Sequence, residues 1–389
     1  MSQPLETYQD EIYLTGLTDV VPAFPADLGR LEEAARAVLT PQAFGYIAGS
    51  AGSGDTAREN LDALRRWRIV PRMLTDVSAP SYASEVLGAT LPVPMLLAPV
   101  GVLAIAHADG ESAAARAAAA QGIPMILSTA SSTPMEEVAA ASGDGQRWYQ
   151  LYWPKDRAVA VSFLERAQAA GFTVLVLTLD TRLLSWRPHD LDHGYLPFLR
   201  GIGVQNYLTD PAFRAPLATP VEQDQGAAIL HYTQMFGDPS LTWDDLPFLR
   251  QHWPGPIVLK GILTPADAQR AADAGVDGIV VSNHGGRQVD GAIGALDALP
   301  AIAAGVGSQL SVLFDGGVRG GADLLKALAL GARAVLIGRP YAYGLALGGE
   351  EGVRHVLRAL RNDFELTMRL SGYSRLDELS PDALQRRPG

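Results

Sequence analysis

The chain has 389 residues, 48% of them hydrophobic, no cysteine, and a net charge of −11 from 31 Lys+Arg against 42 Asp+Glu. That length can bury one large core with added segments, and the negative surface disfavours nucleic acid or an anionic membrane as partners. Without thiols there are no disulfides, thiolate metal sites, Fe–S clusters or cysteine nucleophile, so redox chemistry has to come from a bound cofactor.

In chain order, Met1 to Tyr13 is acidic rather than basic-then-apolar, which is not a secretory signal. Residues 1–90 read as an N-terminal helical extension containing Leu31–Ala37 and Pro41–Ala48. Within it these helices are followed by the basic run Arg65, Arg66, Arg68, Arg72, a solvated or subunit-facing surface or, alternatively, an anion site. The most apolar stretch, Leu91 to Ala106, has 16 residues and three prolines, too short and broken for a membrane helix of about 20. The expectation is a soluble, cytoplasmic protein.

From about residue 90 one phrase repeats: a short apolar run ending in polar residues, then an amphipathic helix. The runs are Pro94–Ala98, Met125–Ser128, Trp148–Tyr152, Thr173–Asp180, Pro256–Gly261, Gly278–His284, Ser311–Gly316 and Ala334–Arg339. Helices are expected at Gly110–Gln121, Pro134–Ala141, Arg157–Ala170, Thr242–Trp253, Thr264–Ala274, Leu296–Ala304, Ala322–Leu330 and Gly352–Leu370. Thr133 before Pro134 and Thr264 before Pro265 read as N-caps with proline at the first helical position. Eight such units predict an α/β protein, a (β/α)8 TIM barrel over 91–372 with a C-terminal tail over 373–389, all in one domain. The proline-rich insertion 187–241 after the fourth strand reads as a lid over the barrel mouth.

Chemistry in such barrels sits at the C-terminal strand ends. Here those ends carry Pro99-Val100-Gly101, Ser128, Gln150 with Tyr152, Thr178 with Asp180, Lys260, Ser282 with His284 and Arg287, Asp315-Gly316-Gly317, and Gly338-Arg339. In Ser282-Asn283-His284-Gly285-Gly286-Arg287-Gln288, glycines let backbone approach a ligand, the imidazole suits a general base, and the arginine offers a fork for a carboxylate. Asp180 is placed to hold the imidazole's tautomer. Lys260, one of three lysines, lies in the apolar run Pro256–Lys260, so either an acidic partner or an electron-rich cofactor oxygen should sit beside it. The loops Asp315–Arg319 and Gly338-Arg339-Pro340 follow strands seven and eight, where such barrels bind phosphate. His189 and His193, four apart, lack a third ligand, and no metal site is expected.

At these residues the chain resembles the FMN-dependent 2-hydroxy-acid oxidising family from about Tyr8 to Leu384, through Ser282–Gln288, Gln150-Leu151-Tyr152, Leu259-Lys260-Gly261, Asp315–Arg319 and Gly338-Arg339-Pro340. Within it, Tyr13–Gly16, Pro71–Leu74, Arg187–Leu191 and Pro197–Gly201 look most like lactate 2-monooxygenase, with lactate oxidase and glycolate oxidase as further members. The resemblance implies FMN on Pro99, Val100, Gly101, Ser128, Gln150, Thr178, Lys260 and Ser282, its phosphate held by Asp315, Gly316, Gly317, Val318, Arg319, Gly338 and Arg339. It implies Tyr46, Tyr152, Arg187 and Arg287 on the substrate, and His284 as base supported by Asp180. It also implies a homotetramer or homo-octamer acting on a small L-2-hydroxy acid, L-lactate first, with O2, giving either acetate, CO2 and water or pyruvate and hydrogen peroxide. Position 101 departs from the alanine of many oxidases in the family; a missing methyl is expected to leave room for product retention and oxidative decarboxylation. The alternatives are a dehydrogenase with another acceptor, a non-flavin phosphate-binding barrel isomerase, and a silent binding barrel.

Overall fold

The computed structural model describes residues 7–387, so residues 1–6 of the acidic N-terminal start and 388–389 of the tail lie outside the description. Eight parallel strands close into a barrel: β1 (Met95–Leu97), β2 (Met125–Ser128), β3 (Arg147–Leu151), β4 (Leu175–Thr178), β5 (Ile257–Ile262), β6 (Gly278–Val281), β7 (Ser311–Phe314) and β8 (Ala334–Ile337). β8 pairs with β1 through Val335↔Met95, Leu336↔Leu96 and Ile337↔Leu97, which closes the ring. All eight expected runs are strands, within a few residues of their expected ends.

Alternation along each strand divides the side chains between two cores. Leu96, Ile126, Trp148, Val176, Val258, Val280, Leu313 and Leu336 form an apolar cluster inside the barrel, while Leu97, Leu127, Tyr149, Leu177, Leu259 and Ile279 pack outward against the helices. Val86, Ala89 and Leu91 of the hairpin Ser84–Leu91 join the inner cluster. Two residues beyond each inner apolar position, the same parity gives Ala98, Ser128, Gln150, Thr178, Lys260, Ser282, Asp315 and Gly338. The barrel is therefore apolar below and largely polar at its C-terminal end.

The helices differ from expectation at particular caps. Thr264 accepts from Asp267 N with Pro265 at the first helical position, as its sequence implies. Thr133 does not cap: the helix runs Met135–Ser142 with Pro134 as the preceding residue, and the Thr133 hydroxyl turns to Glu111. The expected helix Thr242–Trp253 divides into a 3-10 turn, Trp243–Asp245, and a helix, Leu246–His252. The last helix starts earlier than expected, at Arg339, and runs to Leu370 with a break at Gly348 and Gly349. Of the basic run, Arg66 pairs with Glu59 and Asp297, and Arg72 pairs with Glu378 and lies 4.0 Å over the Tyr373 ring.

The insertion 187–241 is built from short helices, Pro188–Asp192, Gln205–Leu208, Pro211–Arg214 and Gln225–Met235, and is packed at the barrel mouth. Phe198, Tyr207, Tyr232 and Phe236 stack on one another, and Phe236 meets Tyr152 with ring centroids 5.4 Å apart. Buried Asn206 ties it to the loop after β2, accepting from Met135 N (2.9 Å) and donating to Thr129 O (3.1 Å). Fully buried Asp210 accepts from Arg166 (3.0 Å) and Ser162 (2.7 Å). Asn206→Ala would leave a buried donor and acceptor unpaired and is expected to cost about 1–3 kcal/mol of stability, read as a lowered denaturation midpoint.

Candidate active site

The polar strand ends open into a cleft. Pro99, Val100, Gly101, Ser128, Lys260, Asp315–Arg319, Gly338 and Arg339 line its inner part, and Tyr46, Tyr152, Arg187, His284 and Arg287 line it too. Gln150, Ser282 and Asp180 stand behind that lining. Gln150 accepts from Ser128 Oγ at 2.9 Å, Ser282 Oγ accepts from Lys260 Nζ at 2.9 Å, and Asp180 supports His284. Thr178 shares the inward parity and borders a second cavity, ≈ 970 Å³, between Asp180, Gly261 and residues 237–246. Residues that the sequence reading missed also line the cleft: Ala130, Thr181, Leu184, Phe198 and Phe236. Their apolar or small side chains carry no chemical signal in one dimension.

The stretch 282–288 folds around its own side chains. β6 ends at Val281, Asn283 Oδ1 accepts from Gly286 N, and Asn283 pairs reciprocally with buried Asn60 of helix Asp55–Arg65 at 2.8 Å in both directions. His284 itself is left-handed, φ 58°, a costly conformation for a non-glycine residue. Ser282 Oγ accepts from its amide at 3.0 Å. The strain turns the ring toward the cleft, where Nδ1 lies 2.7 Å from Asp180 Oδ1 and Nε2 lies 3.5 Å from Tyr152 Oη.

Burial and neighbouring charge act in opposite senses on this pair. Burial pushes the His284 imidazolium below its usual range, against Asp180, which favours it. Burial alone would raise Asp180, but His284 and Lys260 hold its carboxyl below the ordinary carboxylate range. At neutral pH Asp180 is ionised, His284 is neutral with Nδ1–H donated to Asp180, and the Nε2 lone pair is free to act as a base.

Cations crowd the remaining wall. Burial, with Arg187 and Arg339 nearby, lowers Arg287 to about 9. Its Nη1 donates to Tyr46 O (2.7 Å) and Gly49 O (2.8 Å) at the C-terminal end of helix Pro41–Ala48. Arg339 serves the same end through Ile47 O and Gly49 O and reaches Gly285 O at 2.9 Å. Arg187 donates to Ser185 Oγ, Arg287 O and Gln288 Oε1. Lys260 sits 3.1 Å from Asp315 Oδ2, so the acidic partner is present, and the lysine also lines the cleft.

The loop Asp315–Arg319 follows β7. The amides of Gly316, Gly317 and Val318 have no hydrogen-bond partner among the described residues. At Gly317 (φ 83°) an added Cβ would fall 2.8 Å from Asn60 O. Unpaired amides beside the Arg339 helix start make an anion cradle. The amide Nε2 of Gln150 is likewise buried without a partner. Among the described residues no cluster of His, Asp and Glu could hold a metal ion, and His193 Nδ1 turns to His189 O at 2.8 Å.

Gly101 corrects an expectation. A Cβ there would stand 2.7 Å from Ala130 O and 2.8 Å from Ala130 Cβ, so the missing methyl lets two loops approach and opens no room in the cleft.

Two outcomes check the catalytic pair. A base at His284, its pKa lowered by burial from 6.5, predicts substrate oxidation that stays level through neutrality and falls only at lower pH; a midpoint above 6.5 contradicts the assignment. Asp180→Asn should slow it by about 10²–10⁴-fold, since the imidazolium formed loses its counter-charge and the tautomer its anchor.

Comparison with known proteins agrees with this geometry. Residues 35–386 match the FMN-dependent dehydrogenase family. An FMN-dependent alpha-hydroxy acid dehydrogenase of Schizosaccharomyces pombe is 48% identical over 94% of this chain and 92% of its own length. An L-lactate oxidase of Lysinibacillus sphaericus is 41% identical over 98% of both chains. A solved mandelate oxidase structure superimposes with a TM-score of 0.82 at 37% identity, covering 94% of this chain and 100% of the other. The barrel and the family match lead to one conclusion: the chain belongs to the FMN-dependent dehydrogenase family and is an FMN-dependent α-hydroxy-acid oxidoreductase.

Proposed function

We propose that the chain oxidises a small L-2-hydroxy acid, L-lactate first, with O2 as acceptor, giving pyruvate and hydrogen peroxide. The observation that carries this reading is a neutral His284 held by Asp180 at 2.7 Å in the same cleft as the Arg187 and Arg287 guanidinium groups. A base and a carboxylate fork together suit a 2-hydroxy acid. An isomerase would leave them unused, and a silent barrel would have no need of a strained His284. The curated relative named L-lactate oxidase supports lactate and O2. With the Gly101 argument gone, peroxide release is favoured over oxidative decarboxylation to acetate, CO2 and water.

Bound FMN supplies a two-electron acceptor. Its phosphate would lie on the Gly316–Val318 amides with Arg319, Gly338 and Arg339. Its ring would lie over Pro99–Gly101, Ser128, Gln150, Thr178 and Ser282, with the Lys260 ammonium beside an electron-rich edge. Arg187 and Arg287 bind the substrate carboxylate, and Tyr46 and Tyr152 orient its hydroxyl. His284 Nε2 takes the hydroxyl proton, and Asp180 stabilises the resulting imidazolium. Phe198 and Phe236, with the rest of 187–241 as a lid, keep water from the reacting atoms. The protein acts as a cytoplasmic, single-domain homo-oligomer.

Anaerobic mixing of the FMN-loaded protein with L-lactate should bleach the flavin, and admitted O2 should then yield pyruvate with peroxide. Dominant acetate would make it a monooxygenase; bleaching without reoxidation by O2 would make it a dehydrogenase. No bleaching would reject lactate. His284→Ala should keep FMN bound while losing flavin reduction; normal reduction by that variant would remove His284 from the base role.

A further inference from the structure

Glu111 is a fully buried carboxylate that the mechanism leaves unused, and it has no cation partner among the described residues. It stands in the first turn of helix Gly110–Ala120, beneath the loops that follow β1 and β2. Oε1 accepts from Leu103 N at 3.0 Å and from Ser132 N at 2.9 Å, and the Thr133 hydroxyl donates to Oε2 at 3.4 Å. An uncompensated buried charge is unfavourable, and burial does raise its pKa, while these donors oppose the shift.

The positions of the two amides explain why such a group is kept. Leu103 lies two residues beyond Gly101, and Ser132 two residues beyond Ala130; Gly101 and Ala130 both line the cleft and touch each other. Above Glu111 the loops join again through Val102 N donating to Ala130 O at 2.8 Å. From the far side, Tyr341 donates its hydroxyl to Ala98 O at 3.0 Å.

We propose that Glu111 is a positioning residue that sets the wall formed by Pro99–Gly101 and Ala130, and so the distance between bound flavin and substrate. This rests on the reading of the cleft given above. The device is an acceptor, not a charge. A glutamine keeps it, since one amide oxygen can take both N–H groups and the amide nitrogen can donate to Thr133 Oγ1. An alanine leaves two buried N–H groups unpaired, and the loops are then free to move apart.

Glu111→Ala and Glu111→Gln are compared with the wild type, FMN-loaded, using the 2-hydroxy acid that bleaches the flavin. The limiting rate of flavin reduction should fall about tenfold or more in E111A through lost alignment, with the half-saturating concentration much less affected, and E111Q should restore it. In the apoprotein without substrate, the Leu103 and Ser132 amides should exchange slowly with solvent in wild type and E111Q, and on the order of 100-fold faster in E111A. A wild-type rate in E111A, an E111Q as slow as E111A, or rapid exchange of both amides in the wild type would each overturn the proposal. Should E111A fail to fold, the E111Q rate and wild-type exchange decide it. Failure of the hydroxy-acid reading shows instead as a flavin that no 2-hydroxy acid bleaches, and the exchange measurement is independent of that.

Discussion

Positive charge is concentrated in one cleft: Arg187, Lys260, Arg287, Arg319 and Arg339 line it, with Asp315 as the one acid among its lining residues. Burial, with repulsion from Arg187 and Arg339, lowers Arg287 to about 9. Lys260 escapes this, because Asp315 and Asp180 outweigh the effect of burial and raise its pKa. Such a cleft favours anions, and the unpaired amides of Gly316–Val318 and the arginines near His284 offer two places for them. Binding at either place offsets part of a desolvation cost already built into the fold.

Those cations also tie distant segments to the site. Arg287 and Arg339 satisfy carbonyls that end the helix Pro41–Ala48, so the turn carrying Tyr46 is attached through charged donors. Arg339 further reaches Gly285, next to the base. The N-terminal extension, the loop 282–288 and the strand-eight loop therefore share one set of hydrogen bonds. The insertion 187–241 completes the cleft from the other side, its position held by Asn206 and Asp210 beneath an aromatic stack.

Much of this was readable in one dimension because barrel strands have period two. Apolar runs located all eight strands, and the residues at their C-terminal ends gave the polar ring from Ser128 to Asp315. Helix ends were less legible: Thr133 looks like a cap but bonds to Glu111, 22 residues away in sequence. Long-range contacts hid the rest. Gly101 is required by Ala130, Glu111 by Leu103 and Ser132, and the Tyr46 helix by arginines more than 200 residues away, none of which a local pattern encodes. Among the described residues no helix is long and apolar enough to cross a membrane.

The central claim is that one cleft holds the flavin on the polar ring and the substrate acid between the arginines and His284. A crystal structure of the FMN-loaded protein soaked with oxalate, an unreactive dicarboxylate, tests it most directly. The account predicts the FMN phosphate on the Gly316–Val318 amides, and oxalate hydrogen-bonded to Arg187 and Arg287 within reach of His284 Nε2. Oxalate bound away from both arginines, or a His284 ring turned from it toward another partner, would contradict the account.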